Sequence, residues 1–104
     1  MYILVTYDVD TTDTSGPRRL RKVAKACLDH GQRVQNSVFE CELTEAQFCL
    51  LKEKIRGIID ATADSVRFYH LNKNENRRIE VLGVETSYNV DSTIIILLLS
   101  DKNF

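Results

Sequence analysis

The chain has 104 residues, of which 43% are hydrophobic and 28% charged, and its net charge is −1. This length suits one domain with a single core, and the composition excludes an intrinsically disordered chain. Because the overall charge is nearly balanced, attraction to nucleic acid would have to come from local clustering of basic residues. The longest apolar run, Ile94 to Leu99, is far shorter than a membrane span, so we expect no membrane association.

The first predicted element is a strand over residues 2–8. Both of its faces are apolar, so both need cover. The strand runs into Asp8 and Asp10, which project to the same side because strand side chains alternate, and Asp13 follows in the next loop. Grouped carboxylates suit Mg²⁺ or Mn²⁺. The pattern therefore predicts a metal site, and the alternative is that these residues only cap a turn.

A basic helix is predicted next, with Pro17 in its first turn and Gly31 as its stop. The helix carries five basic residues before the first acid, Asp29: Arg18, Arg19, Arg21, Lys22 and Lys25. Four of them, Arg18, Arg21, Lys22 and Lys25, fall largely off its apolar stripe. A face of one sign suits phosphate contacts, although it is also compatible with a solvated surface. An acidic metal site beside a basic helix suggests a phosphodiester ligand.

The remaining chain predicts further strands and a second helix. Residues 33–43 read as a strand pair or one bent strand, with Asn36 at the turn. Thr44 and Gln47 fit a capping box that opens a helix with a buried stripe from Phe48 to Ile58. Residues 66–71 are rich in β-branched and aromatic side chains, which favours a strand. A polar, basic loop over residues 72–78 leads to a short final strand over residues 79–83.

This order predicts an α+β, ferredoxin-like βαββαβ fold with an additional C-terminal strand. Its antiparallel sheet would carry two helices on one face. The domain would occupy residues 1–84, and residues 85–104 would form a tail that packs on the domain or on a partner subunit. Because the helices cover only one face, we expect a second copy to cover the other in a two-fold homodimer. The extra strand would then pair with the partner's sheet edge.

Cysteine and histidine residues give no separate site. Cys27, Cys41 and Cys49 are odd in number and include no C-x-x-C pair, which predicts reduced core residues in a cytoplasmic protein. His30 and His70 have no evident partner in the sequence, and such a partner is needed for an imidazole to act as a general acid or base.

Four segments resemble the CRISPR-associated protein 2 family: residues 7–10, the basic helix, residues 31–40 and residues 67–71. The resemblance extends over about residues 1–84, and its most specific part is residues 34–40. It implies a ferredoxin-fold homodimer that works with the CRISPR-associated integrase when new spacers are acquired. It also implies a Mg²⁺-dependent endonuclease acting on RNA or double-stranded DNA.

The resemblance places the metal at Asp8, which would face its counterpart across the two-fold axis. Two carboxylates brought together by symmetry repel unless a cation or a proton lies between them, so dimer closure and metal binding should be coupled and pH-dependent. Mn²⁺ would be a substitute for Mg²⁺. Asp10 would be an outer or alternative ligand, and Ser37 is a further catalytic candidate. The candidates for nucleic-acid binding are Arg18, Arg19, Lys22, Arg33 and Phe39.

Two kinds of function stay open at this point. The first is an enzyme that hydrolyses phosphodiester bonds of double-stranded DNA or RNA. The second is a non-catalytic scaffold that binds DNA and bridges integrase subunits. A toxin-type ribonuclease of the same fold and a small-ligand regulatory module are more distant alternatives.

Overall fold

The structure, a computed structural model, describes residues 1–10, 12–71 and 79–84. Their elements in chain order are β1 (Tyr2–Asp8), α1 (Gly16–Leu28), β2 (Gly31–Gln35), β3 (Val38–Glu42), α2 (Glu45–Ile58), β4 (Ser65–His70) and β5 (Ile79–Gly83). The strands form one antiparallel sheet in the order β2-β3-β1-β4-β5. This confirms the ferredoxin-like α+β fold with its additional strand. The predicted basic loop and C-terminal tail lie outside the described residues.

β1 is the central strand, and both of its faces are covered. Its residues Ile3, Val5 and Tyr7 belong to the main core, which includes the buried side chains of both helices. On the opposite face, Leu4 packs with Tyr69 and other residues in a second, smaller cluster. The alternation follows from the two-residue period of a strand, and it confirms that an apolar strand of this kind needs cover on both sides.

Both helices begin at the predicted signals. Pro17 lies in the first turn of α1, and Thr44 caps α2. The Thr44 hydroxyl accepts a hydrogen bond from the Gln47 backbone N–H at 3.1 Å, and the Thr44 backbone N–H donates to the Gln47 side chain at 2.9 Å. Within the described residues, neither helix has the length and apolar character needed to span a bilayer.

Gly31 has a different role from the predicted one. It does not end α1 but begins β2, and its φ is not positive. A Cβ atom at this position would lie 1.8 Å from the Glu40 carbonyl oxygen. The absence of a side chain therefore lets β2 approach β3 closely. Residues 31–42 form a strand pair, with a register shift between Arg33 and Gln35.

β5 pairs with β4 of its own chain, whereas we expected it to pair with a partner's sheet edge. Side-chain contacts of Glu80 with α2 and β4 accompany this backbone pairing. Glu80 of β5 accepts a hydrogen bond from Lys52 of α2 at 3.1 Å and contacts His70 Nε2 at 2.7 Å. At the end of the strand, Gly83 has φ 87° and lies so close to the backbone of Asp64 that a Cβ atom would be 2.1 Å from its carbonyl oxygen.

The cysteine prediction is correct for two of the three residues. Cys27 and Cys41 are free and buried, and the Cys41 thiol donates a hydrogen bond of 3.5 Å to the Cys27 carbonyl oxygen. Cys49 is free but exposed on α2, so its assignment to the core was wrong. It occupies a helix position between buried residues Phe48 and Leu51 but faces outward.

Candidate metal and nucleic-acid site

Asp8 is the last residue of the central strand, and its side chain is exposed. Because side chains alternate along β1, Asp8 lies on the same face as Leu4, which is the face opposite the two helices. It pairs with Ser65 of β4 across the sheet. Among the residues that the structure describes, no hydrogen-bond donor contacts its carboxylate. These oxygens are therefore available to a ligand.

The two neighbouring acids have other partners. Asp10 accepts hydrogen bonds from the backbone N–H and the hydroxyl of Thr12, at 2.9 and 2.7 Å. Asp13 accepts from the backbone N–H and hydroxyl of Ser15, at 3.0 and 2.9 Å, and the first of these bonds is the main reason why its pKa lies below the ordinary value. Both therefore organise the loop between β1 and α1, as the turn interpretation predicted.

A buried ionic network that the sequence did not predict lies directly behind this loop. Its centre is Asp64, whose side chain is fully buried. Asp64 accepts hydrogen bonds from the Tyr7 hydroxyl at 2.6 Å and from Arg19 Nε and Nη2 at 2.7 and 3.1 Å. It also accepts from the backbone N–H groups of Asp10 and Asp60, at 3.1 and 3.0 Å. The carboxylate of Asp64, the guanidinium of Arg19 and the hydroxyl of Tyr7 thereby have hydrogen-bond partners inside the protein.

The charge state of the network follows from these contacts. Burial alone raises the pKa of Asp64, but the hydrogen bonds from Arg19, Tyr7 and two backbone groups outweigh it and lower the pKa to about 2. Burial, followed by the hydrogen bond to Asp64, raises the pKa of the Tyr7 hydroxyl well above its ordinary range. At neutral pH the carboxylate is ionised and the phenol is a neutral donor, so Tyr7 has no acid-base role there.

The basic residues of α1 separate into two groups. Arg18 and Lys22 are exposed, as a phosphate-binding role requires. Arg19 differs, because only 11% of its side chain is accessible and it is paired with Asp64 and with Asp13 at 2.9 Å. Our assignment of Arg19 to the nucleic-acid surface was therefore wrong. Successive helix residues are about 100° apart, which turns Arg19 inward while Arg18 faces out.

The candidate site residues from the hairpin of β2 and β3 also differ in their exposure. Ser37 lies in the turn, where its carbonyl oxygen accepts a hydrogen bond of 2.9 Å from the Tyr7 backbone N–H, one residue from Asp8. Phe39 is fully buried in the main core, so it is not available to stack on a base, and that assignment was wrong. Arg33 is exposed and places its guanidinium carbon 5.3 Å from the centre of the Phe39 ring.

The donors at the strand end fit Mg²⁺ in kind but not in number. Carboxylate oxygens are suitable ligands for this ion, and Asp8 supplies them. Within the part of the chain that the structure describes, no three His, Cys, Asp or Glu side chains lie together as possible ligands of one metal ion. A complete site at Asp8 would thus need oxygen ligands from a second copy, from water or from a phosphate.

A basic groove lies between the two helices on the outer layer. Its volume is about 270 Å³, and it is lined by Lys22, Lys25, Ala26, Lys54 and Ile58. Among the described residues, none of the three lysines forms an ion pair. Lys54 was not among the predicted basic residues, because α2 carries charges of both signs and gives no one-signed pattern.

The sequence that builds this site matches a known family. The family model described as CRISPR associated protein Cas2 matches residues 1–79. The chain belongs to the Cas2 family. This confirms the resemblance inferred from the strand end, the basic helix and the following hairpin.

Individual relatives of the Cas2 family cover nearly the whole chain. A Rhodospirillum rubrum protein named CRISPR-associated endoribonuclease Cas2 3 is 49% identical over 94 residues, which are 90% of this chain and 99% of that protein. A Halalkalibacterium halodurans protein named CRISPR-associated endonuclease Cas2 is 45% identical over 95 residues, 91% of this chain and 99% of its own. The crystal structure of Streptococcus pyogenes Cas2 at pH 6.5 has 58% sequence identity and a TM-score of 0.67, and it covers 80% of this chain and 100% of its own.

Proposed function

We propose that this Cas2-family chain is a nuclease that hydrolyses phosphodiester bonds as a two-fold homodimer, with one Mg²⁺ held between Asp8 and the same residue of a second copy. The observation that carries the proposal is the exposed Asp8 carboxylate at the end of the central strand, with no donor in contact among the described residues. The relatives' names, endoribonuclease and endonuclease, support the reaction class.

The dimer follows from the incomplete ligand set. The described residues of one chain contribute a single uncommitted carboxylate at the strand end, whereas a Mg²⁺ ion takes six oxygen ligands, several of which are normally water. A two-fold axis beside Asp8 doubles the carboxylate contribution. The face that carries Asp8 also carries the smaller apolar cluster around Leu4 and Tyr69, and neither described helix packs on it, so the second copy would approach from this side.

The residues of the chain would then have different roles in binding the ion and the substrate. Bound Mg²⁺ would supply charge stabilisation at the phosphate and a more acidic bound water. Asp8 would hold this ion, and Asp10 would be an outer or alternative ligand. Arg18 would bind a phosphate group of the substrate near this site, since it is exposed and lies in the first turn of the helix that follows the loop between β1 and α1. Lys22 would bind a phosphate group farther along the nucleic acid, on the outer side of the helices. Ser37 lies next to Tyr7 and would hydrogen-bond to the substrate.

The test compares Asp8→Asn with Asp29→Asn. Both substitutions remove one exposed carboxylate, but Asp29 lies after the other end of α1. We expect Asp8→Asn to lower the rate of Mg²⁺-dependent cleavage by about 100-fold or more, since a metal ligand is lost. Asp29→Asn should cleave like the wild type. The assay uses double-stranded DNA and single-stranded RNA in parallel, each with Mg²⁺ and with Mn²⁺. The comparison of the two nucleic acids decides the substrate class, and the comparison of the two ions shows whether Mn²⁺ substitutes for Mg²⁺. Undiminished cleavage by Asp8→Asn would refute the proposal.

A second candidate function is a non-catalytic scaffold that binds DNA and bridges the CRISPR-associated integrase during spacer acquisition. The observation that favours it is the groove between the helices, whose three lysines form no ion pair within the described part of the chain. This groove is on the opposite layer from Asp8, so it would remain accessible in the proposed dimer. Reversal of charge with Lys22→Glu and Lys54→Glu should weaken binding to duplex DNA in the absence of metal. Unchanged affinity would remove the main support for this role.

A further inference from the structure

We infer that Asp64 is the positioning residue for Asp8: one buried carboxylate holds the chain on both sides of the proposed metal ligand and joins it to the basic helix. This inference rests on the proposed function of Asp8. Asp64 lies in the turn between α2 and β4, far from Asp8 in sequence, and its own side chain does not reach solvent.

The hydrogen bonds of Asp64 bracket Asp8. Tyr7, the residue before Asp8, donates its hydroxyl proton to Asp64 Oδ2 at 2.6 Å. Asp10, two residues after Asp8, donates its backbone N–H to Asp64 Oδ1 at 3.1 Å. Ser65, the neighbour of Asp64, is the register partner of Asp8 across the sheet. Contacts with Asp64 and Ser65 thus fix the chain at the residue before Asp8, at the residue two positions after it and at its neighbour on β4.

The same carboxylate fixes the start of the basic helix relative to β1. Arg19 binds Asp64 through Nε and Nη2, one nitrogen to each carboxylate oxygen, which is a two-point contact that restricts rotation as well as distance. Its Nη1 donates a hydrogen bond to Asp13 in the loop between β1 and α1. Because Arg18 is the preceding helix residue, the contact also sets where an exposed phosphate-binding side chain lies relative to Asp8.

The charge of Asp64 matters as much as its shape. Within the described part of the chain, each group that hydrogen-bonds to its side chain is a donor: one hydroxyl, two guanidinium nitrogens and two backbone N–H groups. Replacement by Asn would preserve the volume but would turn one acceptor into an NH₂ group that faces donors. The substitution therefore loosens the backbone on both sides of Asp8 without leaving a cavity. An effect on metal affinity, more than on metal-saturated turnover, is the signature of such loosening.

The experiment measures Mn²⁺ binding by electron paramagnetic resonance and, in parallel, the Mg²⁺ concentration that gives half-maximal cleavage. The variants are Asp64→Asn, Asp8→Asn and a core control, Ile55→Val or Ile55→Ala, whichever matches the loss of thermal stability of Asp64→Asn. Ile55 is fully buried in α2, and its apolar side chain takes no part in the hydrogen bonds of Asp64. We expect Asp64→Asn to weaken Mn²⁺ binding by about 10–100-fold, the range seen when residues behind a metal ligand are changed. The core control should bind like the wild type.

Tyr7→Phe is the second variant, because it removes one donor and leaves the ion pair intact. It should weaken Mn²⁺ binding in the same direction but less, which keeps the inference testable if Asp64→Asn fails to fold. Wild-type Mn²⁺ affinity in both Asp64→Asn and Tyr7→Phe, or an equal loss in the core control, would overturn the positioning role alone. Equal Mn²⁺ binding by the wild type and Asp8→Asn would instead overturn the proposed site, and this inference with it.

Discussion

The hydroxyl of Tyr7 donates a hydrogen bond of 2.6 Å to the carboxylate of Asp64, a residue 57 positions later in the chain. This contact ties the end of the central strand to the turn that precedes β4. Two acidic residues at this end of the sheet have different environments. Asp64 is buried and fully engaged, whereas Asp8 is exposed and contacts no donor among the described residues. The first stabilises the fold, and the second is available for chemistry.

Acid should destabilise the protein partly through Asp64. Its pKa is about 2 in the folded protein and 3.8 ordinarily, so the folded state favours the ionised form. The stability that this shift contributes is fully present above about pH 4 and is lost as the pH falls through about 2. Urea unfolding of the wild type and Asp64→Asn between pH 2 and 5 should show a difference that shrinks toward pH 2. A difference that stays constant over this range would contradict the assignment.

Substitution by alanine should affect the free energy of unfolding very differently at two adjacent residues. Asp64→Ala leaves the Arg19 charge and the Tyr7 hydroxyl partly unpaired in the interior and should lower the free energy of unfolding by about 3–5 kcal/mol. Ser65 is buried too, but its hydroxyl has no hydrogen-bond partner among the described residues, so Ser65→Ala should be neutral or slightly stabilising. Equilibrium denaturation of both variants checks this, and a large loss for Ser65→Ala would show that the hydroxyl has a partner in solution.

Two glycines give a second matched pair. Gly83 has φ 87° and sits against the Asp64 carbonyl oxygen, so Gly83→Ala should destabilise the protein and loosen the end of β5. Gly57 lies in α2, and a Cβ atom at this position would meet nothing within 4 Å, so Gly57→Ala should stabilise the protein by about 0.5–1 kcal/mol. Thermal unfolding measures both. Equal shifts of the melting temperature would contradict the backbone argument.

Neutralising a phosphate contact should change the salt dependence of DNA binding. Lys22→Gln or Lys54→Gln should each reduce the slope of log K against log salt concentration by about 0.9 if each lysine binds one phosphate. Arg56→Gln is the control, because Arg56 is an exposed cation of α2 that already pairs with Glu53 and lies outside the groove. Fluorescence anisotropy with duplex DNA gives the slopes. Identical slopes in the lysine variants and the wild type would argue against the groove as a phosphate-binding surface.

Local signals in the sequence predicted the fold well. The capping box at Thr44 and Gln47 joins residues three positions apart, and the two-sided apolar character of β1 requires only its own residues. The element order then restricts the topology to few arrangements. Gly31 shows the limit of such local signals, because its role depends on the Glu40 carbonyl oxygen of the next strand and not on the helix before it.

The candidate site was only partly predictable. Asp8 follows from its place at a strand end and from the family resemblance. The inward turn of Arg19 depends on a partner 45 residues away, and Asp64 itself stands in a short polar segment that looks like an ordinary turn. The burial of Phe39 is set by the packing of two helices on the sheet. Contacts of this range leave no periodic pattern in a single sequence.

The central claim is that Asp8 of two copies holds one divalent ion. The most direct measurement is the number of Mn²⁺ ions bound per chain, determined by titration with electron paramagnetic resonance alongside the mass of the complex in solution. The proposed site predicts one ion for every two chains, a dimer, and loss of this ion in Asp8→Asn. One tightly bound ion per monomer, or undiminished binding by Asp8→Asn, would contradict it.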